Sequence, residues 1–189
     1  MINRSIFYES FRAAFGRLRQ SQVDGMNILL ALMDADPWPT IWHAAYFMAT
    51  VKHEAAETWW PISERGPIDY FGQYEPGMRI GNELGNVMPG DGYLYRGRGY
   101  VQVTGRRNYE RATKETGFPL LSYPEGLLWP ALSYQVAKSG MLLGWFTGAS
   151  LDNYSGDYRN ARRVVNGTDR AELIAGYATK FETIMKRSA

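Results

Sequence analysis

Residues 89–105 read PGDGYLYRGRGYVQVTG, and this stretch constrains the fold more than any other part of the chain. Aromatic and β-branched side chains alternate here with polar residues and with glycine, a pattern typical of half-buried β-strands. It predicts a small β-hairpin, with Gly97 and Gly99 at the turn or at a close backbone approach. The strand residues of this hairpin would be Tyr93, Tyr95, Tyr100, Val101 and Val103.

The segments on both sides of the hairpin region have the apolar periodicity of amphipathic helices. Two helices are expected before Pro37, within residues 5–19 and 23–36. A third helix should begin after Thr40, a good N-cap residue, and should carry Glu54 near its end. Later helices are expected from about Asn108, from Ser133 to Phe146 and from Asp169 to Arg187, where Asp169 and Glu172 have capping-box spacing.

These elements predict a mainly α fold with a small β-hairpin region beside a ligand cleft. The length of 189 residues favours a single domain, possibly with two lobes. Within residues 1–189, residues 1–36 form an N-terminal helical segment without a recognisable motif, and residues 37–189 form the core.

Composition excludes several classes of function. The formal net charge of +2 is too small to imply nucleic acid as a partner, and the absence of cysteine excludes disulfides and thiolate metal sites. The N-terminal residues lack the features of a signal peptide, and the apolar runs are too short to span a bilayer. We therefore expect a soluble, cytoplasmic protein without stable membrane insertion.

Residues 53–64, HEAAETWWPISE, hold two glutamates ten residues apart. HEAAE resembles the start of an HExxH zinc helix, but the second histidine is absent and the chain has only His43 and His53, so we expect no metal and no other cofactor. Taken singly, Glu54 and Glu64 would be interpreted as solvated surface charges. The two glutamates indicate a particular function only in combination with other motifs.

The motifs in combination resemble the plant-type chitinases of glycoside hydrolase family 19, in the lysozyme-like superfamily, and the phage endolysin branch of that family. They are the His-Glu pair, the second glutamate, LGN at 84–86, GDGYLYRGRGYVQVTGRRNY at 90–109 and ARRVVNGTD at 161–169. The resemblance runs from about Thr40 to the C-terminus and implies a lysozyme-like, two-lobed α-rich fold. Its most specific part is YRGRGYVQVTGRRNY.

The resemblance also implies roles for individual residues. Glu54 would be the general acid and Glu64 the general base, with Glu57 and Glu75 as rival candidates for the base. Thr104 would hold the attacking water. The remaining implied residues are Gln102, Asn108 and Asn166, which would bind the sugar chain, and Tyr95, which would line the groove.

Cleavage of a glycosidic bond requires one carboxyl to protonate the leaving oxygen and a nucleophile on the opposite face of the sugar. If water attacks directly, the two carboxyls stand roughly 6.5–9.5 Å apart. The acid must keep its proton near neutral pH, which apolar surroundings favour, and Tyr46, Trp59 or Trp60 could provide them.

The resemblance therefore predicts a monomeric enzyme that hydrolyses the β-1,4-linked amino-sugar backbone of bacterial peptidoglycan. HEAAE departs from the His-Glu-Thr-glycine pattern of plant chitinases, which bears on chitin specificity. As an endolysin, the protein would accumulate in the host bacterial cytoplasm, reach the wall after membrane permeabilisation and lyse the cell. Two alternatives remain open: a chitinase, and a non-catalytic module that binds cell-wall sugars.

Overall fold

The computed structural model describes residues 1–189 and is mainly helical, which confirms the predicted fold class. The eight α-helices are α1 (Arg4–Phe15), α2 (Gln20–Ala35), α3 (Ile41–Glu54), α4 (Arg79–Glu83), α5 (Asp91–Leu94), α6 (Arg106–Thr116), α7 (Pro130–Leu143) and α8 (Ala171–Ser188). One sheet pairs β1 (Ile62–Ser63) with β2 (Arg98–Gly99). Four 3₁₀ segments span Ile68–Tyr74, Pro124–Leu128, Leu151–Tyr154 and Asn160–Val164.

The chain folds into two compact units. Unit 1 comprises residues 1–60 and 138–189, and unit 2 comprises residues 61–137. The predicted N-terminal helical segment therefore belongs to the same unit as the C-terminal helix. No helix combines the length and the apolar character that crossing a membrane requires.

Unit 1 is built around α3, which packs against α8, while α1 packs on another part of α8. Thr40 caps α3 as expected, because its hydroxyl accepts a hydrogen bond from the backbone N–H of His43 at 3.3 Å. The helix is buried without interruption over residues 45–52. Glu54, its last residue, therefore projects from a rigid backbone.

The turn that follows α3 has an unusual backbone. Ala56, Glu57 and Trp59 all have positive φ, which L-residues other than glycine rarely adopt. Lys52 donates to the Glu57 carboxylate at 2.5 Å, and Gln22 donates to the Glu57 carbonyl at 2.8 Å. These contacts hold the turn in a conformation that it would not favour alone.

Unit 2 is organised around a buried ion pair. Arg106, at the start of α6, donates two hydrogen bonds of 2.7 Å to Asp91, at the start of α5. The same carboxylate accepts the backbone N–H groups of Val87 and Met88. Burial opposes ionisation of Asp91, but these donors outweigh it and lower the pKa of Asp91 to about 2.

The predicted hairpin of residues 93–103 is wrong. Tyr93 lies in α5, and β2 pairs with β1 in antiparallel register, with Ile62 opposite Gly99. After β2 the chain closes a tight turn in which Arg98 and Val103 exchange backbone hydrogen bonds of 2.8 and 3.1 Å. The alternation did not indicate a sheet face, because Tyr95, Tyr100, Val101 and Val103 enter the core from the end of a short helix and from a turn, while Tyr93 remains exposed.

Several helix boundaries also differ from the prediction, and two of them have a clear physical reason. Helix α7 begins at Pro130, three residues earlier than expected, since proline fits the first helical turn. Helix α8 begins at Ala171 without the predicted capping box. Its N-cap is Arg170, with φ of 56°, and Glu172 instead pairs with the guanidinium of Arg159.

Candidate active site

Glu54 is held by an arginine in unit 1. Nη1 of Arg162 donates to Oε1 of Glu54 at 2.6 Å. The Arg162 side chain is 2% exposed and that of Glu54 is 16% exposed, so water competes little for this contact. The carboxyl group is therefore fixed at the end of α3 with a narrow opening to solvent.

Arg162 is itself fixed by the 3₁₀ segment Asn160–Val164 and the turn after it. Its Nε donates to the carbonyl of Asp169 at 2.9 Å. A guanidinium has only donors, so Oε1 of Glu54 must accept. Oε2 has no hydrogen-bond partner within unit 1, and a proton on Glu54 would therefore reside on Oε2.

The structure keeps only part of the predicted surroundings of Glu54: Tyr46 lies near enough for the Glu54 carboxylate to influence its pKa, whereas the two tryptophans make other contacts. Trp59 packs edge-on against Phe11 and Phe181, and the indole of Trp60 donates to the carbonyl of Ser21. Tyr46 is fully buried, and burial raises its pKa above the ordinary value, so its hydroxyl stays protonated. The two tryptophans thus serve packing, and the charged neighbour of Glu54 is an arginine that sequence reasoning missed.

Glu64 is fixed in unit 2 immediately after β1. Its Oε1 accepts from the hydroxyl of Tyr74 at 3.1 Å, and its Oε2 accepts from the backbone N–H of Gly97 at 3.0 Å. Burial, followed by contacts with Tyr70 and Glu64, raises the pKa of Tyr74, so this hydroxyl remains a donor. Two donors therefore hold the Glu64 carboxylate in one orientation.

Three polar side chains of unit 2 converge on Gly97. A Cβ placed on Gly97 would lie 2.8 Å from Oε1 of Gln102, 3.2 Å from Oε2 of Glu64 and 3.3 Å from Oγ1 of Thr104. The Thr104 hydroxyl donates to the Gln102 carbonyl at 2.9 Å and can still accept a hydrogen bond. Only the absence of a side chain at Gly97 lets these three oxygens approach its backbone so closely.

Glu64 also lines a surface pocket of unit 2 with a volume of about 490 Å³. Both charged and aromatic side chains surround it. The lining includes Glu64, Arg65, Phe71, Tyr93, Arg96 and Leu128. This mixture of polar and aromatic surface is suited to a sugar, whose rings have both apolar faces and hydroxyl edges.

The rival candidates for the base have other contacts. Both carboxylate oxygens of Glu75 accept backbone N–H groups, from Gly90 at 2.7 Å and Gly92 at 3.0 Å, so Glu75 anchors the start of α5. Glu57 pairs with Lys52 and is 56% exposed. Glu64 differs from both in lining the pocket of unit 2, so it remains the candidate for the base.

The remaining predicted residues are distributed over both units. Gln102 donates to the carbonyls of Ile62 and Gly99, and Asn108, largely buried, donates to the carbonyl of Thr104 at 2.8 Å. Glu64, Gln102, Thr104 and Asn108 are thus brought together in unit 2. Both side-chain amides hold the backbone around Gly97, a structural task that the sequence did not reveal.

Two predicted sugar contacts lie elsewhere. Tyr95 is 3% exposed and its hydroxyl donates to the carbonyl of Leu121, so it belongs to the core of unit 2. Tyr93, at 42% exposed, lines the pocket instead, together with the buried Phe71. Asn166 is exposed in unit 1, where its backbone N–H donates to the carbonyl of Arg162.

The comparisons with known proteins show the fold. No protein-family profile matches the sequence, and no curated protein matches it. Chitinase C from Streptomyces griseus HUT6037 has a similar structure, with a TM-score of 0.63 and 19% identity over 96% of this chain and 76% of the chitinase chain.

Two further crystal structures are similar to this chain at 19% identity and a TM-score of 0.62. For a mutant of chitinase C, the match covers 98% of this chain and 92% of the mutant's chain. For a bacterial family 19 chitinase, described as differing from the plant enzymes, the match covers 97% of this chain and 94% of the chitinase chain. The protein therefore has the fold of these family 19 chitinases along nearly its whole length.

Proposed function

We propose that this chain is a glycoside hydrolase that cuts the β-1,4-linked amino-sugar backbone of bacterial peptidoglycan. The observation that carries the proposal is that the fold of family 19 chitinases coincides with fixed carboxyl groups at both glutamates that the motifs single out. Besides these two carboxyl groups, such chemistry requires only a side chain that holds the attacking water.

Glu54, which pairs with Arg162 as a carboxylate in the free protein, is proposed as the general acid and would bind its proton when substrate is in place. Arg162 occupies Oε1, so the transferable proton is confined to Oε2, the oxygen without a partner in unit 1. A proton held in one place is delivered along one direction, which favours transfer to a bound leaving oxygen. Arg162 is in this scheme the residue that orients the acid.

Glu64 is proposed as the general base, with Thr104 as the residue that holds the attacking water. Both side chains lie against Gly97, so Oε2 of Glu64 and Oγ1 of Thr104 are near one another, and the attacking water is proposed to bind to these two oxygens. Tyr74 and the N–H of Gly97 keep the carboxylate in one orientation. Water activated by a fixed carboxylate is the nucleophile of direct hydrolysis.

Peptidoglycan is proposed over chitin for two reasons. The motifs resemble the endolysin branch, and HEAAE departs from the plant chitinase pattern. In this proposal the enzyme reaches the wall from the host cytoplasm after membrane permeabilisation and lyses the cell. Chitin is the second candidate substrate, because the structurally similar proteins are chitinases.

The proposal is tested by measuring reducing ends released from purified peptidoglycan and from chitin. Wild type should release them, Glu54→Gln and Glu64→Gln should lose at least about 100-fold in rate, and Glu57→Gln should retain activity as the matched control. Mass spectrometry of the products identifies the bond that is cut. A Glu54→Gln variant with full activity would refute the mechanism.

The alternatives give different results in the same assay. A chitinase would release reducing ends from chitin in preference to peptidoglycan. A non-catalytic module would sediment with cell wall but release none in any form. If Glu75→Gln abolished activity while Glu64→Gln did not, the base would be Glu75.

A further inference from the structure

A pocket rich in arginine lies in unit 1, separate from the contacts made by the two proposed catalytic glutamates. Its volume is about 500 Å³. We call it the arginine pocket, and its lining is Arg159, Asn160, Arg163, Thr168, Arg170, Ala171, Glu172 and Leu173. Three guanidinium groups against one carboxylate give it a positive charge.

The positive charge of the arginine pocket is only partly neutralised by the protein. Glu172 pairs with Arg159. Arg163 reaches only Oδ1 of Asn160, at 3.5 Å, and Arg170 makes no side-chain hydrogen bond or ion pair. Both are exposed, so two guanidinium forks remain available to an anion, for which their planar geometry is well suited.

The wall of the arginine pocket is fixed by the same segment that holds Glu54. Arg162 points inward from the 3₁₀ segment Asn160–Val164 to Glu54, while its neighbours Arg159 and Arg163 line the pocket. Asp157 accepts hydrogen bonds from the backbone and side chain of Asn160, which orders the start of this segment. The backbone that carries Arg159 and Arg163 is therefore ordered.

The position of the arginine pocket also relates to the proposed sugar contacts. Asn166, proposed to bind the sugar chain, lies between Arg163 and Thr168 in the sequence, and its backbone N–H donates to the carbonyl of Arg162. An anionic substituent on a bound sugar chain would be a partner for Arg163 and Arg170. Chitin has no such anion, whereas the peptide stems of peptidoglycan have free carboxylates.

We propose that the arginine pocket binds carboxylates of the peptide stems of peptidoglycan, through Arg163 and Arg170, and so selects peptidoglycan over uncharged glycans. This inference rests on the proposed function and gives it a basis for substrate choice. Binding through two guanidinium groups requires ionised carboxylates on the substrate, so chemical amidation of those carboxylates should remove the advantage.

The test is a sedimentation assay with the non-hydrolysing Glu54→Gln protein and purified peptidoglycan, native or amidated at its carboxylates. When Arg163→Gln and Arg170→Gln are introduced into this protein, each lost contact should weaken binding to native peptidoglycan about threefold, and the two together about tenfold. Amidated peptidoglycan should bind the protein with and without these two changes equally weakly. Arg187→Gln, an exposed arginine at the other end of α8, is the matched control and should change nothing.

Two further measurements keep the inference falsifiable. Arg163→Lys with Arg170→Lys should restore most of the binding, because the charge returns, and thermal unfolding should show that all variants are folded. The inference is overturned if the double glutamine variant binds native peptidoglycan as tightly as its parent, if amidation has no effect on the parent, or if the parent does not bind.

Failure of the proposed function gives a different result. In that case wild type releases no reducing ends from any glycan, while sedimentation still reports whether the arginines recognise peptidoglycan carboxylates. Conversely, hydrolysis of peptidoglycan that depends on Glu54 but not on the arginines would retain the function and remove the inference.

Discussion

Replacing Arg162 by glutamine should destabilise unit 1 substantially, because it would leave the Glu54 carboxylate without its cation. The two side chains are 2.6 Å apart and 2% and 16% exposed. Removing one partner of a buried ion pair costs about 3–5 kcal/mol. The partial exposure of Glu54 lets water recover some of this loss, so we expect about 3 kcal/mol for Arg162→Gln.

The contribution of the pair itself can be isolated by a double-mutant cycle. The free energies of unfolding of wild type, Arg162→Gln, Glu54→Gln and the double variant are measured by urea denaturation. The double variant should be less destabilised than the sum of the single changes, with a coupling energy of about 2 kcal/mol. Arg162→Lys keeps the charge and should lose less than Arg162→Gln.

A coupling energy below about 0.5 kcal/mol would refute this reasoning, since distant, independent sites show values that small. It would mean that the Arg162–Glu54 contact contributes nothing specific and that the orientation of the proposed acid has another origin. Unchanged hydrolysis by Arg162→Gln, in a folded protein, would contradict the proposed confinement of the proton to Oε2.

Three further predictions concern unit 2. Gly97→Ala places a Cβ 2.8 Å from Oε1 of Gln102, which is too close for an ordinary contact. Reducing-end release should therefore fall at least about tenfold, and the free energy of unfolding should fall by about 1–3 kcal/mol. A variant with the wild-type rate would contradict this steric conflict. Tyr74→Phe removes one donor from Glu64 and should lower the free energy of unfolding by about 1 kcal/mol; an unchanged urea midpoint would count against this contact. The pKa of Asp91 is lowered from 3.8 to about 2, so the stabilisation of about 2 kcal/mol that its carboxylate provides is complete above pH 4 and is lost as pH falls towards 2. Between pH 5 and pH 2.5, urea titrations should therefore show a smaller loss of unfolding free energy for Asp91→Asn than for wild type.

Sequence reasoning placed Glu54 correctly because local rules govern that part of the chain. The Thr40 cap and the apolar period of α3 are both written in neighbouring residues, and α3 ends at Glu54 in the structure. The same reasoning failed at residues 93–103, where a four-residue helix and a tight turn depend on the tertiary ion pair between Asp91 and Arg106. An ion pair between residues distant in the chain produces no periodic pattern in the sequence.

The neighbours of the glutamates were harder to predict than the glutamates themselves. Arg162 and Arg163 are chemically identical and adjacent, and only the 3₁₀ geometry decides that Arg162 points inward while Arg163 remains exposed. Tyr95 shows the same difficulty, since an aromatic residue beside a glycine-rich motif suits a sugar groove and a core equally well. The structure assigns it to the core.

The order of the two units along the chain has a consequence for how the protein is made on the ribosome. Residues 61–137 are contiguous, whereas unit 1 joins residues 1–60 to residues 138–189. Helix α3 therefore emerges before all of unit 2, but α8, its packing partner, is synthesised only after it. During translation α3 therefore exposes apolar surface until α8 emerges, which makes the growing chain prone to aggregation.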